Sequence, residues 1–249
     1  MSVQENNQAE MVFGKNNVTE LLLSGVPVER VYLAGDAQNA NYKKIVALCK
    51  GSGVPIIHTE NANLNRKLPN VNHQGVLAIC GQKEYVSVSD ILKIAADRNE
   101  APFIIVADEI ADPHNLGAIL RSADAFGAHG VIISKRRAAG LTPSVAKASG
   151  GAIHSMPVAR VANLAQTVEE LKENNIWVYG CDMAGEKVYY EQDYSGGVAL
   201  IVGSEDTGIS RLLREKCDFF VRIPMKGKIS CLNASVAASV IMQEIAKNR

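Results

Sequence analysis

Phe103–Ala107 reads FIIVA, apolar without interruption and closed by Asp108. A strand with one wet face alternates apolar and polar residues; a strand without alternation must be covered on both faces. The chain therefore needs a parallel sheet with helices on both sides, assembled from strand–helix units. The flanking sequence supplies them. ADPHNLGAILRSADAFG predicts a helix with Asp112 in capping range and Pro113 in the first turn. Leu116, Ile119, Leu120, Ala123 and Phe126 form its apolar stripe, and Gly127 stops it. Gly130–Ser134, Ile176–Cys181, Val198–Val202 and Phe219–Ile223 read as further strands, with helices over 163–174 and 209–216. The final stretch, IPMKGKISCLNASVAASVIMQEIAKNR, is a strand end, a loop of small and polar residues, and a helix that Asn233 can cap. Val236, Val240, Ile241 and Ile245 recur there at helical spacing.

A shorter strand–helix alternation precedes this one. Residues 11–80 are expected to form a small α/β domain, with a first helix carrying Val18, Leu21 and Leu22 and ended by Gly25. Strands follow at Val28–Ala34, Val54–His58 and Gly75–Cys80, and helices at 41–50 and 63–68. Residues 1–10 are polar and expected to be a disordered lead. Residues 81–101 read as a linker with one short helix capped near Ser89, and 102–249 as the second domain. A length of 249 residues accommodates two such domains.

Lys+Arg and Asp+Glu balance at 26 each, which excludes a strongly basic nucleic-acid binder but leaves room for local patches. The five cysteines form no C-x-x-C pair, and the five histidines show no metal-ligand spacing, so no metal is expected. Scattered thiols without a framework suit a reducing cytoplasm. The polar N-terminus is not a signal peptide, and no apolar run approaches the ~18 residues of a membrane span. The expectation is a soluble cytoplasmic protein with no membrane partner.

Four stretches can carry chemistry. Asn115, Gly117 and Arg121 lie on the helix after FIIVAD, with Asn115 near the strand's carboxyl end; Gly117 and Arg121 share a face. A glycine there would leave room for a ligand to approach the guanidinium. The strand-to-helix loop IVGSEDTGIS is glycine-rich but is neither G-x-G-x-x-G nor a P-loop, and Glu205 and Asp206 would repel a pyrophosphate. A cationic ligand, or a hydroxyl to be positioned, fits better. The terminal loop offers Gly227, Ser230, Cys231 and Asn233 at a strand's carboxyl end, where open α/β sheets bind ligands. Lys135, Arg136 and Arg137, with Lys147, Lys226 and Lys228, could hold a phosphate backbone. Taken singly, a surface arginine, a plain turn, a good helix cap and a solvated basic face account for each stretch equally well.

Together and in this order, NLGAILRSADAFGAHGVII, IVGSEDTGIS and IPMKGKISCLNASVA resemble the three motifs of the SpoU, or TrmH, family of RNA ribose 2′-O-methyltransferases. FGKNNVTELLLSG through HQGVLAIC resembles the L30e-like substrate-binding domain that some members carry, a layout similar to that of the 23S rRNA guanosine 2′-O-methyltransferases. The resemblance implies a SPOUT domain, a parallel sheet with a trefoil knot. It implies S-adenosylmethionine as methyl donor and a homodimer with the site at the subunit interface. It assigns Gly203, Ile223 and Leu232 to the donor, for which Met225 could supply a further apolar wall, and Asn115, Arg121, Glu205 and Asn233 to catalysis or its support. RNA contacts would fall to Lys135, Arg136 and Arg137. The family usually has serine before Leu-Asn in the third motif, where this chain has Cys231, a weaker hydrogen-bonding group. The expected reaction is methylation of a ribose 2′-hydroxyl in RNA, with 23S rRNA as target. Methylation of tRNA, a non-catalytic RNA-binding protein and a dinucleotide-dependent enzyme stand as alternatives, the last weakened by the missing fingerprint.

Overall fold

The structure is a computed structural model and describes residues 10–23, 28–35, 40–69, 71–80, 83–229 and 231–249. The expected lead, apart from Glu10, and the stop at Gly25 lie outside the described residues. The chain forms two compact units, Met1–Lys83 with Leu141–Pro143, and Glu84–Gly140 with Ser144–Arg249.

The first unit contains β1 (Glu10–Phe13), α1 (Lys15–Leu23), β2 (Val28–Leu33), α2 (Ala40–Ser52), β3 (Ile56–His58), α3 (Asn61–Lys67) and β4 (Val76–Cys80). Its sheet runs β1-β4-β2-β3, with β4 antiparallel to both neighbours and β3 parallel to β2. Period-two alternation along β4 fills both faces. Val76 and Ala78 pack with Val18, Leu21 and Ile45 of α1 and α2, while Leu77 and Ile79 pack with Leu64 of α3. Strand β1 was not foreseen; its four residues follow a polar lead and pair with β4 only in the tertiary structure.

The second unit contains α4 (Val88–Asp97), β5 (Phe103–Ala107), α5 (Pro113–Ala125), β6 (Gly130–Ser134), α6 (Pro143–Ala148), α7 (Ala152–Ser155), β7 (Val158–Val161), α8 (Leu164–Glu173), β8 (Ile176–Cys181), β9 (Lys187–Val188), β10 (Gly197–Val202), α9 (Arg211–Arg214), β11 (Phe219–Arg222) and α10 (Ala234–Lys247). Its seven strands are all parallel, in the order β7-β6-β5-β10-β8-β11-β9. All five residues of β5 are buried, as their composition demands. Ile91 of α4, Val168 and Leu171 of α8 and Leu213 of α9 cover one face of the sheet; α5 and α10 pack on each other.

Several expectations need adjusting. The helix placed in a linker belongs to the second unit and buries Ile91 and Ala95. Its cap is Ser87, not Ser89: Ser87 Oγ accepts from Asp90 N and Asp90 accepts from Ser87 N, a reciprocal capping box. The basic stretch after β6 leads through α6 and α7 into β7, an edge strand that was not foreseen and is too short to show a period. The helix after GSEDTG is a single turn, Arg211–Arg214.

Strand order decides where a ligand can sit. From β5 the chain steps outward through β6 and β7, then crosses over to build β8, β10 and β11 on the other side. Loops leaving β5 and β10 diverge, and a crevice opens at their carboxyl ends.

Candidate active site

A cavity of about 640 Å³ lies at this carboxyl edge, within the range that holds small ligands. Val202 and Gly203 from the end of β10, Ile223 and Met225 beyond β11, and Leu232 and Asn233 before α10 all line it. Gly203, Ile223, Leu232 and Met225, the residues expected to hold a donor, thus all line the cavity. Cys231 lines it too and is exposed.

The loop after β10 is held in a tight reversal. Gly208 N donates to Ser204 O at 2.9 Å, and Ser204 Oγ meets Thr207 Oγ1 at 2.7 Å. A Cβ on Gly203 would lie 2.1 Å from the carbonyl carbon of Gly208, so only glycine fits. Buried Asp108, at the end of β5, accepts from Ser210 N at 2.7 Å and pins the far end of this loop.

Three of the four expected polar residues meet at the cavity. Asn115 Nδ2 donates to Glu205 Oε1 at 2.9 Å, Asn233 Nδ2 donates to Asn115 Oδ1 at 2.9 Å, and Asn233 Nδ2 also donates to Glu205 Oε1. The cap of α10 fixes the orientation. Asn233 Oδ1 accepts from Ser235 N at 3.0 Å and Val236 N at 3.3 Å, so its amide nitrogen must face the site. Asn115 then has its oxygen toward Asn233 and its nitrogen toward Glu205. Glu205 Oε2 has no hydrogen-bond partner among the described residues.

Arg121 does not join this group. It is exposed beside Gly150, about one van der Waals contact from where a Cβ would stand, and makes no hydrogen bond or ion pair among the described residues. The room expected beside it at Gly117 is not there. A Cβ on Gly117 would meet Ala148 Cβ at 2.4 Å and Ser149 N at 2.9 Å, so that glycine lets α5 press against the turn after α6. Lys135, Arg136 and Arg137 follow β6 and are exposed, but Arg137 is paired with Glu109 at 3.0 Å.

Asp182, Met183 and Ser204 also line the cavity and were not singled out from the sequence. Asp182 follows β8 at its carboxyl end, and that position in a parallel sheet was the available signal. Burial alone would raise its carboxyl pKa, but the Arg214 ion pair and the Ala184 N–H outweigh it and hold it below the usual value. Burial pushes the Cys181 thiol up to about 11, so it lines the wall as a neutral group. Among the described residues no cluster of His, Cys, Asp or Glu could hold a metal, and no helix is long and apolar enough to cross a membrane.

Residues 102–243 match the SpoU rRNA Methylase family, and residues 11–86 match the RNA 2′-O ribose methyltransferase substrate binding family. A putative TrmH family tRNA/rRNA methyltransferase, YacO of Bacillus subtilis (strain 168), is 45% identical over 242 residues, 97% of each chain. A Staphylococcus aureus (strain MSSA476) protein described in the same terms is 39% identical over 239 residues, 96% of each chain. The crystal structure of the SpoU methyltransferase AviRb from Streptomyces viridochromogenes in complex with AdoMet has a TM-score of 0.70 at 25% identity, covering 96% of this chain and 89% of that one. The chain belongs to the SpoU/TrmH family of methyltransferases.

Proposed function

We propose that this protein transfers a methyl group from S-adenosylmethionine to a ribose 2′-hydroxyl in RNA, at a guanosine of 23S rRNA. The observation that carries the reading is the Asn115–Glu205–Asn233 group at the edge of an apolar cavity.

The cavity residues fit the donor. Val202, Ile223, Met225, Leu232 and Ala237 supply apolar walls, and among the described residues no lysine or arginine lines the cavity to oppose a cationic sulfonium. When bound, S-adenosylmethionine supplies an electrophilic methyl group open to direct displacement by an oxygen. Ile223, Leu232 and Met225 would hold its apolar parts, and main-chain groups near Gly203 its polar ones. The chain's own task is to position the ribose hydroxyl and take its proton. Glu205 suits the second role: Oε1 is occupied by two amides and Oε2 is available to accept from a hydroxyl. Arginine stays protonated in proteins, so Arg121 is assigned to holding the substrate phosphate rather than to proton removal.

Arg121 stands outside the cavity lining, and it reaches a site when two copies of the chain form a homodimer. Exposed Leu232 and Val236, near the start of α10, support such a contact. The trefoil knot, with α10 threaded through a loop, belongs to the same reading. The free cysteines Cys49, Cys181, Cys217 and Cys231 support a reducing cytoplasm as the place of action.

The target is tested by incubating the protein with rRNA and tRNA from a strain lacking its gene and mapping the methylated nucleotide. Methylation confined to tRNA overturns the rRNA assignment, and calorimetry showing no S-adenosylmethionine binding overturns the reaction itself. Mixing inactive Arg121→Ala with inactive Glu205→Ala protein should restore part of the activity if sites are shared between subunits.

A further inference from the structure

Arg160 lies on β7 and is exposed. Its guanidinium stands 5.4 Å from the centroid of the Tyr85 ring, and its Nη2 donates to the Lys135 carbonyl at 3.2 Å. Tyr85 is itself fixed. Val86 N donates to Val158 O at 2.9 Å and Val86 bridges Ala159 in parallel, so the segment entering α4 runs alongside β7. An arginine stacked on a ring and tied to a carbonyl has already lost much of its rotamer freedom, so its remaining donors can engage an anion at low entropic cost.

Lys135 and Arg136 stand next to it. Lys135 N donates to Val161 O at 2.8 Å, which ties the loop after β6 to the end of β7. Arg136 and Arg160 have no carboxylate partner among the described residues, whereas Arg137 is taken up by Glu109. In an all-parallel sheet every carboxyl end lies on one edge, so these cations share an edge with the cavity. Strand β6 is separated from β10 only by β5, a lateral distance of about 10 Å at the usual strand spacing. Arg136 and Arg160, placed without a carboxylate partner beside a site for an RNA ribose, face the polyanion that the substrate must present.

We propose that Lys135, Arg136 and Arg160, with Tyr85 as brace, form a grip on the phosphate backbone of the RNA strand flanking the target nucleotide. The grip passes over Arg137 and takes in Arg160, which the sequence did not single out. It rests on the RNA reading above.

The test is fluorescence anisotropy with a fluorescein-labelled, mixed-sequence stem-loop RNA and the full-length protein, titrated across salt. Arg160→Ala and Arg136→Ala should each weaken binding severalfold and reduce the salt slope by about 0.7–0.9, the value of one phosphate contact. Tyr85→Ala should weaken binding and Tyr85→Phe should not, because the ring alone braces the guanidinium. S-adenosylmethionine binding, read by calorimetry, should stay unchanged in all four and shows that the fold is intact. Arg160→Gln serves if Arg160→Ala misfolds. Salt-dependent RNA binding with slopes unchanged in the Arg136 and Arg160 variants overturns this proposal alone. A wild-type protein that binds S-adenosylmethionine but no RNA overturns it together with the RNA reading.

Discussion

Asn115 Nδ2 reaches Glu205 Oε1 at 2.9 Å across 90 positions of chain, and Asn233 closes the group by donating to both. Asn115 lies in the first turn of α5, Glu205 in the turn after β10, and Asn233 at the start of α10. Asn233 does two things with one amide: its oxygen caps α10 and its nitrogen faces the site.

Asn233→Ser separates these jobs. Serine is as good a cap as asparagine, so stability should change by less than about 0.5 kcal/mol, against about 1 kcal/mol for Asn233→Ala. Serine cannot reach Asn115 and Glu205, and methyl transfer should fall by about 10²-fold or more. Thermal melts beside an assay of tritiated methyl incorporation from S-adenosylmethionine into RNA decide it; a near-normal rate would leave Asn233 as a helix cap alone.

Gly203→Ala places a methyl group against the Gly208 backbone, which cannot move aside as a flexible side chain can. Denaturant titration should show a loss of about 1–3 kcal/mol. Calorimetry should show weakened S-adenosylmethionine binding, because the displaced loop forms part of the cavity wall. Wild-type affinity and midpoint together would mean that the loop yields without cost.

Cys231 should react first with a maleimide among the four cysteines whose side chains are described. It is exposed, whereas burial raises the Cys49 thiol and pushes Cys181 to about 11 and Cys217 to about 12. Since Cys231 lines the cavity, S-adenosylmethionine should slow its labelling, followed by peptide mass spectrometry. Labelling that ignores the ligand would place the donor elsewhere.

His129 predicts the acid side of stability. Burial pulls its pKa below the ordinary 6.5, against the opposing pull of Glu100. Its Nδ1 accepts from Phe103 N at 2.9 Å, so the proton resides on Nε2, which faces Glu100 at 3.0 Å. Arg98 and Arg249 add positive charge nearby. The folded state binds fewer protons than the unfolded chain, so this stability is complete above pH 6.5 and is lost as pH falls toward the depressed value. His129→Phe should cost about 1–3 kcal/mol at neutral pH by orphaning Phe103 N. It should also flatten the decline below pH 6.5 seen in urea melts, and an equally steep decline would assign it to other groups.

Local chemistry was legible where it was local. An unbroken apolar run can only be a strand buried on both faces, and FIIVA is one. Asp112 and Asn233 cap the helices they precede, because a cap needs only a side chain a few residues from an N–H. Strands β1, β7 and β9 were not legible, since two to four residues carry no period and are held by distant partners. The same division runs through the site. Asn115, Glu205 and Asn233 could be named from their motifs, but their convergence required the crossover that sets β10 between β5 and β8. Tertiary structure alone decided that Gly117 serves helix packing, that Arg137 is spent on Glu109 and that Arg160 stands beside Tyr85. Each depends on a neighbour far away in sequence, and spacing along a chain holds no information about which distant backbone or charge will arrive beside it.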